Sequence, residues 1–343
     1  LYEITQIKGD GEAHPLLSPT DEFANFETWD WGNLDMSEAK TPEMLPGEYP
    51  RSALANGFAL EAELGTNPFK FGFVGAADAH TGLSTPDQDN FFGKFTSYEP
   101  NEHRSNHIAK ENKELAISYN SSQYITSGLT AVWATENSRG AIYDSMERRE
   151  AYATTGTRIR LRFFGGWDFA ASDIQGRYLA RTGYVKGVPM GADLLAAPEG
   201  ATAPNFLVYA LRDPMGANLD RIQIIKGWLD ADGQAQEQVY DVAWSDNRVA
   251  GADGKLPSVG NTVDVSIPSW TNSIGAPELG TIWRDPDFDP ALKAFYYARV
   301  IEIPTPRWTA YDRVKFDLDL PTEIPLTTTE RAYSSPIWFS PEE

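Results

Sequence analysis

The stretch that most constrains this fold is Gly72-Phe73-Val74-Gly75-Ala76-Ala77-Asp78-Ala79-His80-Thr81-Gly82, an apolar run that stops at an acid, a spacer and a histidine. A short apolar run bounded by turn residues reads as a buried strand. Its carboxyl end delivers Asp78 and His80 into the following loop, where functional side chains gather. Residues i and i+2 of a strand share a face, so carboxylate and imidazole can converge on one point. An oxygen and an imidazole nitrogen so placed suit one divalent metal. The plain alternative is a strand-end aspartate capping its own turn beside a surface histidine.

The chain has four histidines, and a second one follows a similar element. Leu1 to Ile7 alternates as a strand does, and Gly9-Asp10-Gly11-Glu12-Ala13-His14-Pro15 comes next. Glu12 and His14 again stand two apart. Two such pairs in a histidine-poor chain make Glu12, His14, Asp78 and His80 the candidate metal ligands. His103 and His107 fall in a polar, aperiodic segment (81–128), which reads as a solvated insertion or a lid over the site.

Between the two pairs, the run from Ser18 to Glu27 has the Pro and acidic residues of a capped helix start. From Pro50 to Leu64 apolar residues recur at helical spacing, which predicts a helix ending at Gly65. Helix followed by strand, with the site at the strand's end, fits an α/β layout with a mostly parallel sheet. Farther on, Gly128 to Ala134 reads as a strand, and Ala141, Ile142, Ser145 and Met146 mark a short amphipathic helix. Tyr152 to Phe163 alternates, with Ile159, Leu161 and Phe163 on one face and arginines on the other. Arg149, Arg148 and Arg158 are the candidates for an anion-binding wall; salt bridges to the acidic surface are the alternative use for them.

From about residue 165 short alternating runs are separated by Gly, Pro and Asp-Gly turns. Residues 166–343 therefore read as a β-rich, sandwich-like region without helices of note, packed on an α/β part at 1–165. Asp285, Asp287 and Asp289 could hold calcium, though a polar turn is the reading they favour.

With 343 residues, 41% of them hydrophobic, the chain can bury ample core. No apolar run reaches the length of a membrane span. A net charge of −20 argues against nucleic acid and anionic membranes as partners. The absence of cysteine excludes thiolate metal sites and a cysteine nucleophile. With neither an initiator Met nor a basic leader, Leu1 is expected to be a mature or trimmed terminus, in keeping with a periplasmic or secreted protein.

Taken together, five segments resemble a bacterial family labelled as a domain of unknown function and related to the PHP (polymerase and histidinol phosphatase) metallohydrolases. They are Tyr2 to Pro15, Gly72 to Gly82, Gly128 to Arg158, Ala294 to Thr309, and Glu330 to Trp338. The resemblance implies part of a PHP-like distorted β/α barrel with two or three divalent metals (Zn, Mn or Fe) at its strand ends. Asp78 and His80 match the last metal motif of that superfamily, Glu12 matches a metal-bridging glutamate, and His14 is an added ligand. The His-x-His strand and Asp-His motif that open PHP proteins are absent, so the chain resembles the C-terminal portion of a longer polypeptide. An N-terminal portion or a cleaved partner chain would then supply the other ligands. The expected function is metal-dependent hydrolysis of a small-molecule ester, phosphate first, sulfate or carboxylic ester next. The alternative is a non-catalytic carbohydrate- or ligand-binding protein with a structural metal.

Overall fold

The computed structural model describes residues 1–252 and 254–341. The chain opens with β1 (Tyr2–Gln6), β2 (Gly9–Asp10), α1 (Pro50–Leu64) and β3 (Phe73–Gly75). A hairpin of β4 (Ile108–Asn112) and β5 (Ile117–Asn120) leads to β6 (Leu129–Val132), α2 (Arg139–Glu147) and β7 (Ala151–Thr154). Then come β8 (Arg160–Gly166), α3 (Leu179–Lys186), β9 (Gly187–Pro189), β10 (Asn205–Leu211), β11 (Leu219–Leu229) and β12 (Ala235–Trp244). The last elements are β13 (Glu278–Arg284), β14 (Ala294–Glu302), β15 (Thr305–Pro306), α4 (Trp308–Lys315), β16 (Thr327–Thr328), β17 (Arg331–Ser334) and β18 (Ile337–Phe339).

Strand β1 is parallel to β3, with α1 in the crossover between them, and β2 folds back antiparallel on β1. This is the expected helix-then-strand unit, but the mostly parallel sheet is not found: β1–β3 is the one parallel pair of these strands among the described residues. Helix α1 has the predicted bounds, opening on Pro50 and stopping at Gly65, whose φ of 73° suits a residue without Cβ. The described residues form open sheets, with no closed barrel among them.

The largest sheet runs β12-β11-β14-β17-β7-β6, with β18 also on β14; a second runs β13-β10-β8-β9. These two face each other across a core of Leu161, Phe163, Phe206, Val208, Ile222, Ile224, Tyr296 and Val300. The β-rich expectation holds in that sandwich. The opposite face of the larger sheet presents Ile225, Phe295, Tyr297 and Tyr333 to Ile4, Leu54, Phe58 and Phe73 of the α/β unit. Strand β14 is therefore buried on both faces along its whole length. Gly75 permits a close approach of β3 to the large sheet, because a Cβ there would lie 2.7 Å from the Leu129 carbonyl oxygen.

Three sequence expectations are corrected here. The boundary drawn at 165/166 does not divide the sheets: β6 and β7 share one sheet with β11, β14 and β17, and β8 pairs with β10. Alternation along each strand shows that one face is buried but says nothing of which strand lies beside it. The later half also carries two helices, α3 and α4, the second covering its buried Trp308 and Asp312. Ser18 to Glu27 forms turns instead of a helix, because its acid is used elsewhere. Asp21 accepts the Phe23 amide (3.0 Å) and both Arg51 (2.8 Å) and Arg299 (2.7 Å).

That arginine pair is the polar centre of the molecule. Glu12 Oε1 accepts Arg51 (2.6 Å) and the Tyr297 hydroxyl (2.6 Å), and Oε2 accepts Arg299 (2.8 Å). Arg299 also donates to Gln223 on β11. Two carboxylates and two guanidiniums thus cancel in a buried site, tying residues 12, 21 and 51 to β14. Burial pushes both acids up, but the two guanidiniums outweigh it and hold Glu12 and Asp21 below their ordinary values. Removing one partner of such a set leaves an uncompensated buried charge. Arg299→Met is therefore expected to lower the unfolding free energy by about 3–5 kcal/mol in urea titration. A loss below 1 kcal/mol would show that the network is dispensable.

Candidate functional site

Beyond the carboxyl ends of β1 and β3 the two chains run side by side, and the Ile7 amide donates to the Ala77 carbonyl (3.3 Å). The next residues, Lys8 and Asp78, form an ion pair. Asp78 takes a left-handed backbone (φ 48°), which aspartate tolerates better than most residues and which turns its carboxylate back over the strand ends. His80 Nε2 lies 3.1 Å from Asp78 Oδ1, so the two side chains do converge, but through the loop after β3 and not on the face of a strand as expected. The His80 ring stands edge-on to Phe95 at 4.9 Å and is half-exposed.

Two residues that the sequence reading missed complete this cluster. Lys94, buried, donates from Nζ to Asp78 Oδ2 (2.8 Å) and to the Asp78 carbonyl (2.6 Å), and lies 3.5 Å from His80 Nε2. Lys8 shares Asp78 Oδ2 with it. Burial raises the Asp78 carboxyl, but the two ammonium groups prevail and hold it at about 2. Burial also lowers Lys94, and the Lys8 charge adds to that, against the attraction of Asp78. A detectable signal was a lysine at each of two Gly-flanked turns, Lys8-Gly9 and Gly93-Lys94, in a chain with 49 acids and 29 Lys and Arg.

Glu12 and His14 are not brought to this cluster. Strand β2 reverses the chain, so that Gly11 pairs with Ile4 and Glu12 returns toward the start of β1. Asp78 sits past the other end of β1, about four residues or roughly 13 Å away along the strand. Both Glu12 oxygens are already engaged by two arginines and Tyr297. His14 Nδ1 accepts the Leu16 amide (3.2 Å) and its Nε2 lies 3.1 Å from Asp30, which occupies both nitrogens.

The three arginines are engaged apart from the cluster as well. Arg149 donates to the Lys70 carbonyl (2.7 Å) and packs on Gly72, at the opposite end of β3 from Asp78. Arg148 reaches Ser145 and Glu150, both at 3.3 Å. Arg158 lies 3.8 Å from Asp87 and 4.0 Å from Asp213. Asp285 is bound by Lys226 and the Tyr296 hydroxyl (2.7 Å each), and Asp287 by the Tyr240 hydroxyl, which gives that loop the polar-turn role.

Among the described residues no three His, Asp or Glu side chains are grouped to hold a metal ion. Asp78 and His80 supply two donors of suitable chemistry, an ionised oxygen and an imidazole nitrogen, where catalytic zinc sites use three protein ligands. Asp78 Oδ1 and His80 Nε2 face each other, and Asp78 Oδ2 is shared by Lys8 and Lys94.

Fold and cluster together define a β-rich α/β protein whose one parallel strand pair presents a carboxylate, an imidazole and two ammonium groups. The chain belongs to the family described as "Protein of unknown function (DUF3604)", whose model matches residues 1–341. No curated protein and no solved structure matches it.

Asp78→Asn would leave two ammonium groups facing each other with no shared carboxylate. It is expected to lower stability at pH 7 by about 1 kcal/mol, the cost of a partly exposed charged hydrogen-bond pair. Added Lys94→Met should recover most of that loss in a double-mutant cycle by urea titration.

Proposed function

We propose that this chain contributes one side of a metal-dependent hydrolase site acting on an ester bond, with Asp78 and His80 as its metal-binding pair. The observation that carries this reading is the 3.1 Å approach of an ionised carboxylate and an imidazole beyond the ends of a parallel strand pair. The sequence resemblance to PHP metallohydrolases supports it, since Asp78-Ala79-His80 is similar to the last metal motif of that superfamily. The remaining ligands come from outside these residues, from a further portion of the same polypeptide or a partner chain.

A divalent Zn, Mn or Fe held there supplies a Lewis acid and an activated water at neutral pH. Asp78 stays ionised throughout the neutral range, and a metal bound there would replace Lys8 or Lys94 as its partner. Its Oδ1 and the edge of Phe95 orient the His80 ring. Lys8 and Lys94 both donate to Asp78, with the Glu3 and Glu99 carboxyls also within their field. Their ammonium groups can hold the anionic oxygens of a substrate and the charge that develops on them in the transition state. This favours a phosphate ester, then a sulfate ester, over a neutral carboxylic ester.

The test is turnover of aryl phosphate, sulfate and acetate by the whole protein with added manganese or zinc. Removing a group that merely supports a metal ligand costs about 10–100-fold. Asp78→Ala and His80→Ala should therefore each cost at least the upper end of that range and weaken metal binding in calorimetry. Lys94→Gln should raise KM for the aryl phosphate several-fold and leave KM for the acetate nearly unchanged. Metal-independent turnover, or full activity in both Ala variants, rules the reading out.

A further inference from the structure

Away from the Asp78 cluster, a cavity of about 380 Å³ is walled by the Pro86–Asp89 segment, the Gly156–Arg158 turn, Trp270, Tyr311 and the two acids Glu302 and Glu330. That volume lies within the range of small-ligand sites. Both glutamates are almost completely buried, yet among the described residues neither is paired with Lys, Arg or His. Glu302, at the end of β14, accepts the Thr157 hydroxyl (2.7 Å) and faces the Ala217 amide. Glu330 accepts Gln88 (2.6 Å) and the Thr155 hydroxyl. All these donors are neutral, so two buried carboxyls line one cavity without a directly paired cation: Arg158 on the cavity lining is turned to Asp87 and Asp213, and the Arg331 charge acts on Glu330 without an ion pair. Glu12 and Asp21, by contrast, are each paired with two guanidiniums.

The side chains are not grouped for a metal ion, since no described set of three acids meets that arrangement. Indole and phenol walls instead suit a cation on an apolar body, through attraction of the positive charge to the ring faces. Asp87, Asp89 and Asp213 line the cavity as well. Asp213 accepts the Arg158 (2.8 Å) and Met215 (2.9 Å) amides, and Asp87 lies 3.8 Å from the Arg158 guanidinium. Glu302 and Glu330, by contrast, are the buried acids of the lining held by no cation among the described residues.

We propose that this cavity is a binding site for a small organic cation, an ammonium group carried on an apolar body, with Glu302 and Glu330 as its counter-charges and Trp270 and Tyr311 as its walls. This site is independent of the hydrolase reading. Binding is linked to pH in a fixed direction. Burial, with the Glu27 charge adding to it, raises Glu330 to about 7 against the Thr155 and Gln88 hydrogen bonds and the Arg331 charge. Burial also raises Glu302, and the Glu330 and Asp213 charges add to that, against Thr157 and the Ala217 amide. A cation prefers the ionised acids, so its binding releases protons and tightens as pH rises from 6 to 8, while an alkylammonium stays charged.

Calorimetry on the whole protein with 2-phenylethylammonium, and with 2-phenylethanol as the neutral probe of similar shape, tests this. The ammonium should bind at least tenfold tighter than the alcohol and gain several-fold in affinity from pH 6 to 8. Its binding heat should depend on the ionisation enthalpy of the buffer. Glu302→Gln and Trp270→Ala should each weaken it at least tenfold. Glu302→Gln should also melt no lower than the parent, since it removes a buried acid without a directly paired cation. Equal binding of the two probes, no saturable binding of the ammonium at 10 mM (roughly a thousandfold above 10 μM, the scale of −7 kcal/mol), or unchanged affinity in both variants overturns the proposal.

Discussion

Two arginines hold this molecule together. Arg51, near the start of α1, and Arg299, in the middle of the doubly buried β14, grip the same two carboxylates from opposite sides. Charges removed from water at such depth are tolerated only when each is matched and hydrogen-bonded. Here each Glu12 and Asp21 oxygen meets a guanidinium nitrogen, and Tyr297 and Gln223 take up donors that would otherwise be orphaned. The α/β unit and the large sheet are joined by polar geometry as well as by the apolar layer of Leu54, Phe58, Phe73 and Tyr297. Apolar contact sets the distance between the layers, and the ionic lattice sets their register.

The strand-end cluster inherits its position from that docking. Once β1 and β3 are fixed against the sheet through Ile4, Phe73 and the close approach at Gly75, their carboxyl ends must open at the same place. Asp78 then lies where two lysines from separate turns can reach it. The acids of the core are neutralised by rigid, forked guanidiniums, and the acid of the cluster by ammonium point charges. The difference is chemical: arginine locks a planar arrangement, whereas a lysine on a flexible stem can change partners. The first is suited to architecture and the second to a surface that exchanges ligands.

Local pattern carried the sequence reading a fair way. Helix α1 was legible to its last residue because Pro50 and Gly65 mark both ends and apolar spacing fills the middle. Alternation along Ile159, Leu161 and Phe163 identified the buried face of β8. Asp78 and His80 were legible as a pair two residues apart after an apolar run, although β3 ends at Gly75 and their contact is made in the loop beyond it, where Asp78 has a φ of 48°. Glu12 and His14 share that spacing, yet their surroundings were hidden, since a tight reversal at β2 changes the direction of the chain and Glu12 finds its partner 287 residues away. Asp21 shows the same limit: its neighbours resemble a helix start, but a long-range claim on its carboxylate by Arg51 and Arg299 wins. The seam at 165 was misplaced because a strand's neighbours are not written in its own residues.

The strand order has a consequence for how the protein is made. In the largest sheet β17, residues 331–334, lies between β7 and β14, and β18 completes the edge of β14. Strands β6 and β7 leave the ribosome nearly two hundred residues before the piece that joins them to β14 exists. Until then an incomplete edge must wait, in a topology whose dominant pairings span long stretches of chain and so form slowly. The last strands act as a keystone. Assembly of the sheet is therefore slow and late, and loss of residues 331–339 would cost the sheet its middle instead of its margin.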